Sequence, residues 1–154
     1  MVFPSTVKRL SHNGLTLPEL MVVALILLPA LLVTILVFIR CLSFIDLSQN
    51  TSRALWEVKN RMNQIEITPF AQITSSFHQS NFSSANLTGR GVSYVSAVDA
   101  NLLKVTTSFS WREKDGRVIG EDKNLNGILD AGEDANGNGI LDSSVELVTY
   151  VRNL

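Results

Sequence analysis

Residues 121–132 read EDKNLNGILDAG and residues 133–144 read EDANGNGILDSS, a twelve-residue repeat in register with no gap. The first copy, Asp122-x-Asn124-x-Asn126-Gly127-x5-Glu133, meets the calcium-loop pattern at every required position. Calcium takes about six to eight hard oxygen ligands, and the spacing supplies them. Asp122, Asn124 and Asn126 alternate, so three side-chain oxygens can turn inward. Gly127 permits the sharp turn, the Ile128 carbonyl fills the seventh position, and Asp130 fills the ninth. Glu133 can close the loop with both oxygens, while Leu129 points away from the metal into packing.

The second copy repeats the early ligands with Asp134, Asn136, Asn138, the carbonyl of Ile140 and Asp142. Its twelfth position is Val145, and Glu146 comes one residue late. The expectation is one calcium site and a second, partial or cooperating one, sharing a wall at Glu133 and Asp134. A surface hairpin that binds nothing would explain the glycines but not the in-register acids. Residues 121–146 hold seven of the fourteen acids and a single basic residue, Lys123. Such a cluster repels itself unless a cation neutralises it, so binding would order the segment. No helix signal flanks either loop, which disfavours a helix–loop–helix sensor.

These loops need a frame. Residues 102–112 alternate, with Leu103, Val105, Thr107, Phe109 and Trp111 on one face and Lys104, Thr106, Ser108, Ser110 and Arg112 on the other. That period of two predicts a half-buried antiparallel strand. Residues 92–98 and 145–151 read as further strands, and 99–101 as a turn. Residues 70–91, rich in Ser, Asn, Thr and Gly, read as a loop anchored by Phe70, Phe77 and Phe82. Leu55, Val58, Met62 and Ile65 recur at helical spacing. Neither this stripe nor the sheet can bury its apolar face alone, so the economical architecture packs one on the other. Trp56 and Trp111 are expected to be packing residues.

The N-terminal third differs in kind. Residues 20–39 are 20 residues without a charge, enough at about 1.5 Å per residue to span a bilayer core of roughly 30 Å. Glu19 sits at the head of this run, where an ionisable group is costly and reads as functional. Lys8 and Arg9 precede it and favour a cytoplasmic N-terminus, against the lone Arg40. One helix over about 17–67 is expected, apolar all round and then amphipathic, stopped at Thr68-Pro69. Residues 48–52 could instead divide it into an anchor and a surface helix.

The net charge of -1 gives no basic footprint for nucleic acid. A single cysteine, Cys41, excludes an intrachain disulfide. The histidines are His12, ahead of the apolar run, and His78, in a polar stretch. No nucleophile–base pair or phosphate-binding glycine loop accompanies them, so an enzyme is the poorest fit.

Gly14-Leu15-Thr16-Leu17-Pro18-Glu19-Leu20 and the apolar helix that follows resemble the prepilin-type signal of type IV pilins and type II secretion pseudopilins. Leu15 and Pro18 replace the family's commoner residues there. The resemblance implies cleavage after Gly14 by a prepilin peptidase and N-methylation of Leu15. Glu19 would become the fifth mature residue, the acid that pairs with a neighbouring subunit's N-terminal amine. It also implies a pilin-like α+β fold, a long membrane-spanning helix packed on a small antiparallel sheet. The division would be a leader at 1–14, a transmembrane and assembly half-helix at 15–42, an amphipathic half at 43–69, and a sheet domain at 70–154 carrying the calcium insertion at 121–146.

The implied function is that of a non-enzymatic minor pilin or pseudopilin. Its partners would be other pilin or pseudopilin subunits, the peptidase, an inner-membrane assembly platform, and membrane lipid before assembly. The chain would be single-pass in the inner membrane, with its C-terminal domain periplasmic or extracellular. The alternative is a membrane-anchored, calcium-dependent adhesion or binding module that uses the signal for export. A methylated Leu15 N-terminus in sheared filaments favours the first, and calcium-dependent ligand capture by an anchored protein the second.

Overall fold

Helix α1 runs Leu17–Glu66 without a break, so residues 48–52 do not divide it. The structure, a computed structural model, describes residues 16–153, and Gly14 and Leu15 lie outside the described residues. The chain forms two compact units, Met1–Ser43 and Phe44–Leu154, and α1 contributes to both. After α1 come α2 (Phe70–Phe77), β1 (Ser80–Ser83), β2 (Gly89–Asp99), β3 (Leu102–Arg112), β4 (Val118–Ile119) and β5 (Glu146–Arg152). The class is α+β.

In the first unit the described chain is helix. An 18-residue window reaches a mean hydropathy of 3.2 with none of its residues buried, so this helix is long and apolar enough to cross a membrane. Polar groups along it are satisfied internally, as an apolar solvent would require. Thr34 Oγ1 donates to the Ala30 carbonyl at 2.8 Å and Ser43 Oγ to the Ile39 carbonyl at 3.2 Å. Pro29 sits inside the helix.

In the second unit the buried stripe of α1 is Asn50, Ala54, Val58, Met62 and Ile65, stepping by three or four residues. Leu55, expected in this stripe, is 46% exposed, because Ala54 one position earlier holds the i−4 place below Val58. Trp56, expected to pack, is 63% exposed, whereas Trp111 is fully buried. The stripe serves two clusters. Ala54 and Val58 pack with Leu87, Phe109, Trp111 and Val145. Met62 and Ile65 pack with Ile73, Val95, Leu103 and Val105.

The segment 70–91 is more ordered than a loop. Phe70, Ile73 and Phe77 share one face of α2, and Ile73 is fully buried. Its Ser, Thr and Gln residues mask that short apolar pattern. Strand β1 then pairs antiparallel with β2. Arg61 ties α1 to this region, its guanidinium 4.7 Å from the Phe77 ring centroid and 5.3 Å from that of Phe82, with Nη2 donating to Ser80 Oγ at 2.6 Å.

The sheet is antiparallel in the order β1-β2-β3, with both β4 and β5 on the remaining edge of β3. β4 pairs at Trp111 and Arg112, and β5 over Leu102–Ser108. The acidic insertion thus leaves and rejoins the same strand edge. Asp99 Oδ1 accepts from the Asn101 N–H at 2.7 Å in the β2–β3 turn. β3 corrects the half-buried expectation: Thr106, Ser108 and Ser110 are also buried, at 6%, 3% and 2% exposed. The acidic insertion lies against Ser108 and Ser110. Ser108 Oγ donates to the Leu141 carbonyl, and Ser143 Oγ to the Phe109 carbonyl at 2.6 Å.

One buried carboxylate bolts β3 to α1. Glu113 Oε1 accepts from Trp111 Nε1 at 2.6 Å, and Oε2 from Asn50 Nδ2 at 2.9 Å. Lys114 and Asp46 add a pair at 2.9 Å, too exposed to weigh much. Glu113→Ala leaves two buried donors unsatisfied and should cost on the order of 3 kcal/mol, whereas Glu113→Gln keeps one acceptor and should cost less. Thermal unfolding of the full chain in detergent checks this order; equal melting of the two variants contradicts it.

Candidate metal centre

The repeat is pinched at its neck, where the Glu121 N–H donates to the Asp142 carbonyl at 2.8 Å. Within it the backbone repeats as the sequence does. Gly120 and Gly132 have φ of 111° and 87°, Leu125 and Gly137 60° and 73°, and Gly127 and Gly139 76° and 79°. The left-handed turn at the sixth loop position is what the calcium pattern reserves for glycine. The fourth position is also left-handed, and there Leu125 holds a conformation that costs roughly 1–2 kcal/mol outside glycine.

In the first loop, Asp122 is 1% exposed and its oxygens accept from the N–H groups of Asn126 and Gly127 at 3.1 and 2.8 Å. Asn124 Nδ2 and Asn126 Nδ2 both reach Asp130 Oδ2 at 2.8 Å. Glu133, 5% exposed, accepts from the Lys123 N–H at 2.9 Å and the Asp130 N–H at 3.2 Å. Asp122, Asn124, Asn126, Asp130 and Glu133 are therefore gathered by one turn of chain. The Ile128 N–H bonds Asn126 Oδ1 at 2.7 Å, and the side chain of Ile128 is exposed.

The second loop copies this. Asp134 accepts from Asn138 and Gly139 at 3.0 and 2.9 Å, and Asn136 and Asn138 both donate to Asp142 Oδ2. The Ile140 N–H bonds Asn138 Oδ1 at 2.9 Å. The carboxylate that bridges the two ends of this loop is Glu121, which lies outside the expected set. Glu121 Oε1 accepts from the Ala135 N–H at 3.0 Å and Oε2 from the Asp142 N–H at 2.9 Å. Val145, at the nominal twelfth position, is buried in the core instead. The signal was present, since Glu121 stands twelve residues before Glu133. Reading each loop forward from its first aspartate hid it.

The donor set suits a hard divalent cation: carboxylates, amide oxygens and backbone carbonyls, with no sulfur or imidazole. Among the described residues, no three Asp, Glu, His or Cys side chains converge on one point. Each loop mixes carboxylates with asparagines, whose amide hydrogens now supply the positive partner that Asp130 and Asp142 demand. Asp142 Oδ1 remains buried with no hydrogen-bond partner. Lys123, the cluster's one base, spends its ammonium on the Gly132 carbonyl at 2.9 Å. Tyr94 lies under both loops and its hydroxyl accepts from the Leu141 N–H at 3.1 Å. Burial, and then the charges of Asp122, Asp142 and Glu121, raise its pKa and keep the phenol neutral.

Glu19 has a local partner. Its Oε2 accepts from the Thr16 N–H at 3.4 Å. Thr16-x-x-Glu19 is thus half of a capping box at the start of α1, a role the sequence reading did not assign.

The two loops differ in what supports them. A Cβ on Gly127 would lie 2.8 Å from Asn81 Cβ and 2.9 Å from Arg90 Cγ, whereas one on Gly139 would meet nothing within 4 Å. Both substitutions carry the left-handed penalty, but Gly127→Ala adds a clash with β1 and β2. Gly127→Ala should lower the melting temperature more than Gly139→Ala, by roughly 1 kcal/mol or more; equal shifts would show that the first loop does not bear on the sheet.

The chain matches no family model, no curated protein and no solved structure.

Proposed function

We propose that the chain is a non-enzymatic structural subunit of the pilin or pseudopilin kind, a minor one distinguished from the main repeating subunit by its calcium-ordered insertion. Helix α1 carries this reading. It begins with one acid, Glu19, continues through 20 uncharged residues, and ends in the stripe that packs on the sheet. A carboxylate at the head of an apolar run is unfavourable alone and relieved by a cation. A neighbouring subunit's N-terminal amine, freed by cleavage after Gly14 and carried on Leu15, would be that cation. Copies of such a helix packed head-to-tail generate an open helical fibre. The subunit would wait in the inner membrane as a single-pass protein, its sheet domain outside the cytoplasm. The prepilin peptidase and the assembly platform would act on it there.

Calcium is the companion proposal. Bound between Asp122, Asn124, Asn126, the Ile128 carbonyl, Asp130 and Glu133, it would neutralise two carboxylates that the fold buries. The second loop would be a weaker or cooperating site.

The capping contact makes Glu19→Gln the informative variant. Glutamine can keep the bond to the Thr16 N–H but carries no charge. Glu19→Gln and Glu19→Ala should both lose incorporation into filaments while the leader is still cleaved. Normal assembly of Glu19→Gln beside failure of Glu19→Ala would make Glu19 a helix cap and refute the pairing role.

Calcium at about a hundredfold excess over its Kd should stabilise the full chain by about 2.7 kcal/mol, a melting shift on the order of 10 °C that chelation reverses. Asp122→Ala should abolish most of that shift. Identical melting with and without calcium would sink the metal reading.

A further inference from the structure

We propose that Asn86 is an N-glycosylation site, and that the first sugar it carries rests on the indole of Trp56. This builds on the reading that the sheet domain lies outside the cytoplasm, and adds a covalent partner to that domain.

Three Asn-x-Ser/Thr triplets occur in the chain, at Asn50, Asn81 and Asn86. The triplet is the acceptor pattern for N-linked glycans, which need a surface position in an exported domain. The fold separates the three. Asn50 is 8% exposed in the α1 stripe, and its Nδ2 is given to Glu113 at 2.9 Å. Asn81 lies in β1, paired with Val92, and its Nδ2 is 3.1 Å from where a Cβ on Gly127 would stand, so the first loop lies against it. Asn86 stands in the bend between β1 and β2, where it and Thr88 are exposed. Leu87 between them is buried in the cluster of Ala54, Val58 and Phe109. That anchor leaves the acceptor amide and the hydroxyl residue of the triplet on the surface together.

An independent observation concerns Trp56. It is two residues from both Ala54 and Val58, which places it on the opposite face of α1 from the buried stripe, and it is 63% exposed. With Ser52, Arg53, Glu57 and Asn86 it lines a shallow hollow of about 360 Å³. That volume falls within the roughly 300–1,000 Å³ of ordinary ligand sites. Glu57 Oε1 accepts from Ser84 Oγ at 2.8 Å and holds the bend against α1, so the fold sets Asn86 beside Trp56. The carbon–hydrogen face of a pyranose carries slight positive charge and stacks on the negative face of an aromatic ring. Arg53 can donate to the sugar's hydroxyls, and Glu57 Oε2 can accept from them.

The transfer forms a bond from Asn86 Nδ2 to the anomeric carbon of an oligosaccharide carried on a polyprenyl pyrophosphate. The bond from that carbon to the pyrophosphate oxygen breaks. The pyrophosphate leaves with the electron pair, and the amide gives up one proton.

The test is intact-mass and glycopeptide mass spectrometry of the full chain isolated from its own cells. The peptide bearing Asn86 should carry a glycan, and those bearing Asn50 and Asn81 should be bare. Thr88→Ala and Asn86→Gln should each lose the added mass, and Thr88→Ser should keep it. Stacking is read by acrylamide quenching of tryptophan fluorescence, since Trp111 is buried. Loss of the glycan in Thr88→Ala should raise quenching, and a Trp56→Phe background should remove that difference. A bare Asn86, or a glycan on Asn50 or Asn81 instead, overturns the assignment. Equal quenching with and without the glycan overturns the contact with Trp56. Protease added outside the sealed inner membrane locates the sheet domain. A cleaved domain with a bare Asn86 overturns the glycan alone, and a protected, bare domain overturns the location as well.

Discussion

The second unit depends on a strand with no free face. Along β3, residues from Val105 to Trp111 are buried without a gap, apolar and hydroxylated side chains alike. On one face, Val105, Phe109 and Trp111 meet the α1 stripe and supply most of the driving force, since burying each large apolar side chain is worth about 1.5–3 kcal/mol. On the other, Thr106, Ser108 and Ser110 are buried too, with the acidic insertion against Ser108 and Ser110. The strand's far edge is shared by β4 and β5, with Val145 and Ser143 bonding Phe109 between them. Without β3 the helix stripe, the hairpin and the insertion would have no common surface.

Charge sets the second constraint. A domain that buries Asp122 and Glu133 must compensate both. Backbone N–H groups do much of this: the left-handed turns at Gly127 and Gly139 aim successive donors at Asp122 and Asp134. Such nests of N–H groups stabilise a carboxylate without neutralising it. Net negative charge stays concentrated in the insertion, and Glu146 registers it, its pKa raised by partial desolvation and then by Asp142. The loops are thus built for anionic side chains and short of positive charge, the balance a hard divalent cation corrects.

Much of this was legible from residue order. The strand 102–112, its turn at 99–101 and the helix limits followed from period and from Thr68-Pro69, because each signal is local. Three features were not local and were misread. Leu55 looked like part of the stripe because it is large, but position relative to Val58 matters more than size, and Ala54 is buried instead. Helix α2 hid because three apolar residues in a Ser- and Thr-rich stretch count for little until Ile73 finds the Met62–Val95 cluster. The hydroxylated face of β3 looked solvated because a strand's period says which residues share a face, not what covers it. At the candidate site, all the expected first-loop side chains are gathered by the first loop, while Glu121 was recoverable only by treating the repeat as closed on itself.

The polar face of β3 also explains how an acidic insertion can sit on a sheet at all. Long or branched apolar side chains there would hold the loop backbone away and leave its carbonyls unsatisfied. Serines are short and donate. Ser108 satisfies the Leu141 carbonyl, and Ser110 lies so close to Gly120 that any side chain at that position would collide with it. Leu141, 1% exposed, plugs the space that remains. The contact is therefore between backbone and small hydroxyls, close enough that the position of the insertion follows that of β3. The same strand is tied to α1 through Trp111, Glu113 and Asn50, so one strand bears both the insertion and the helix.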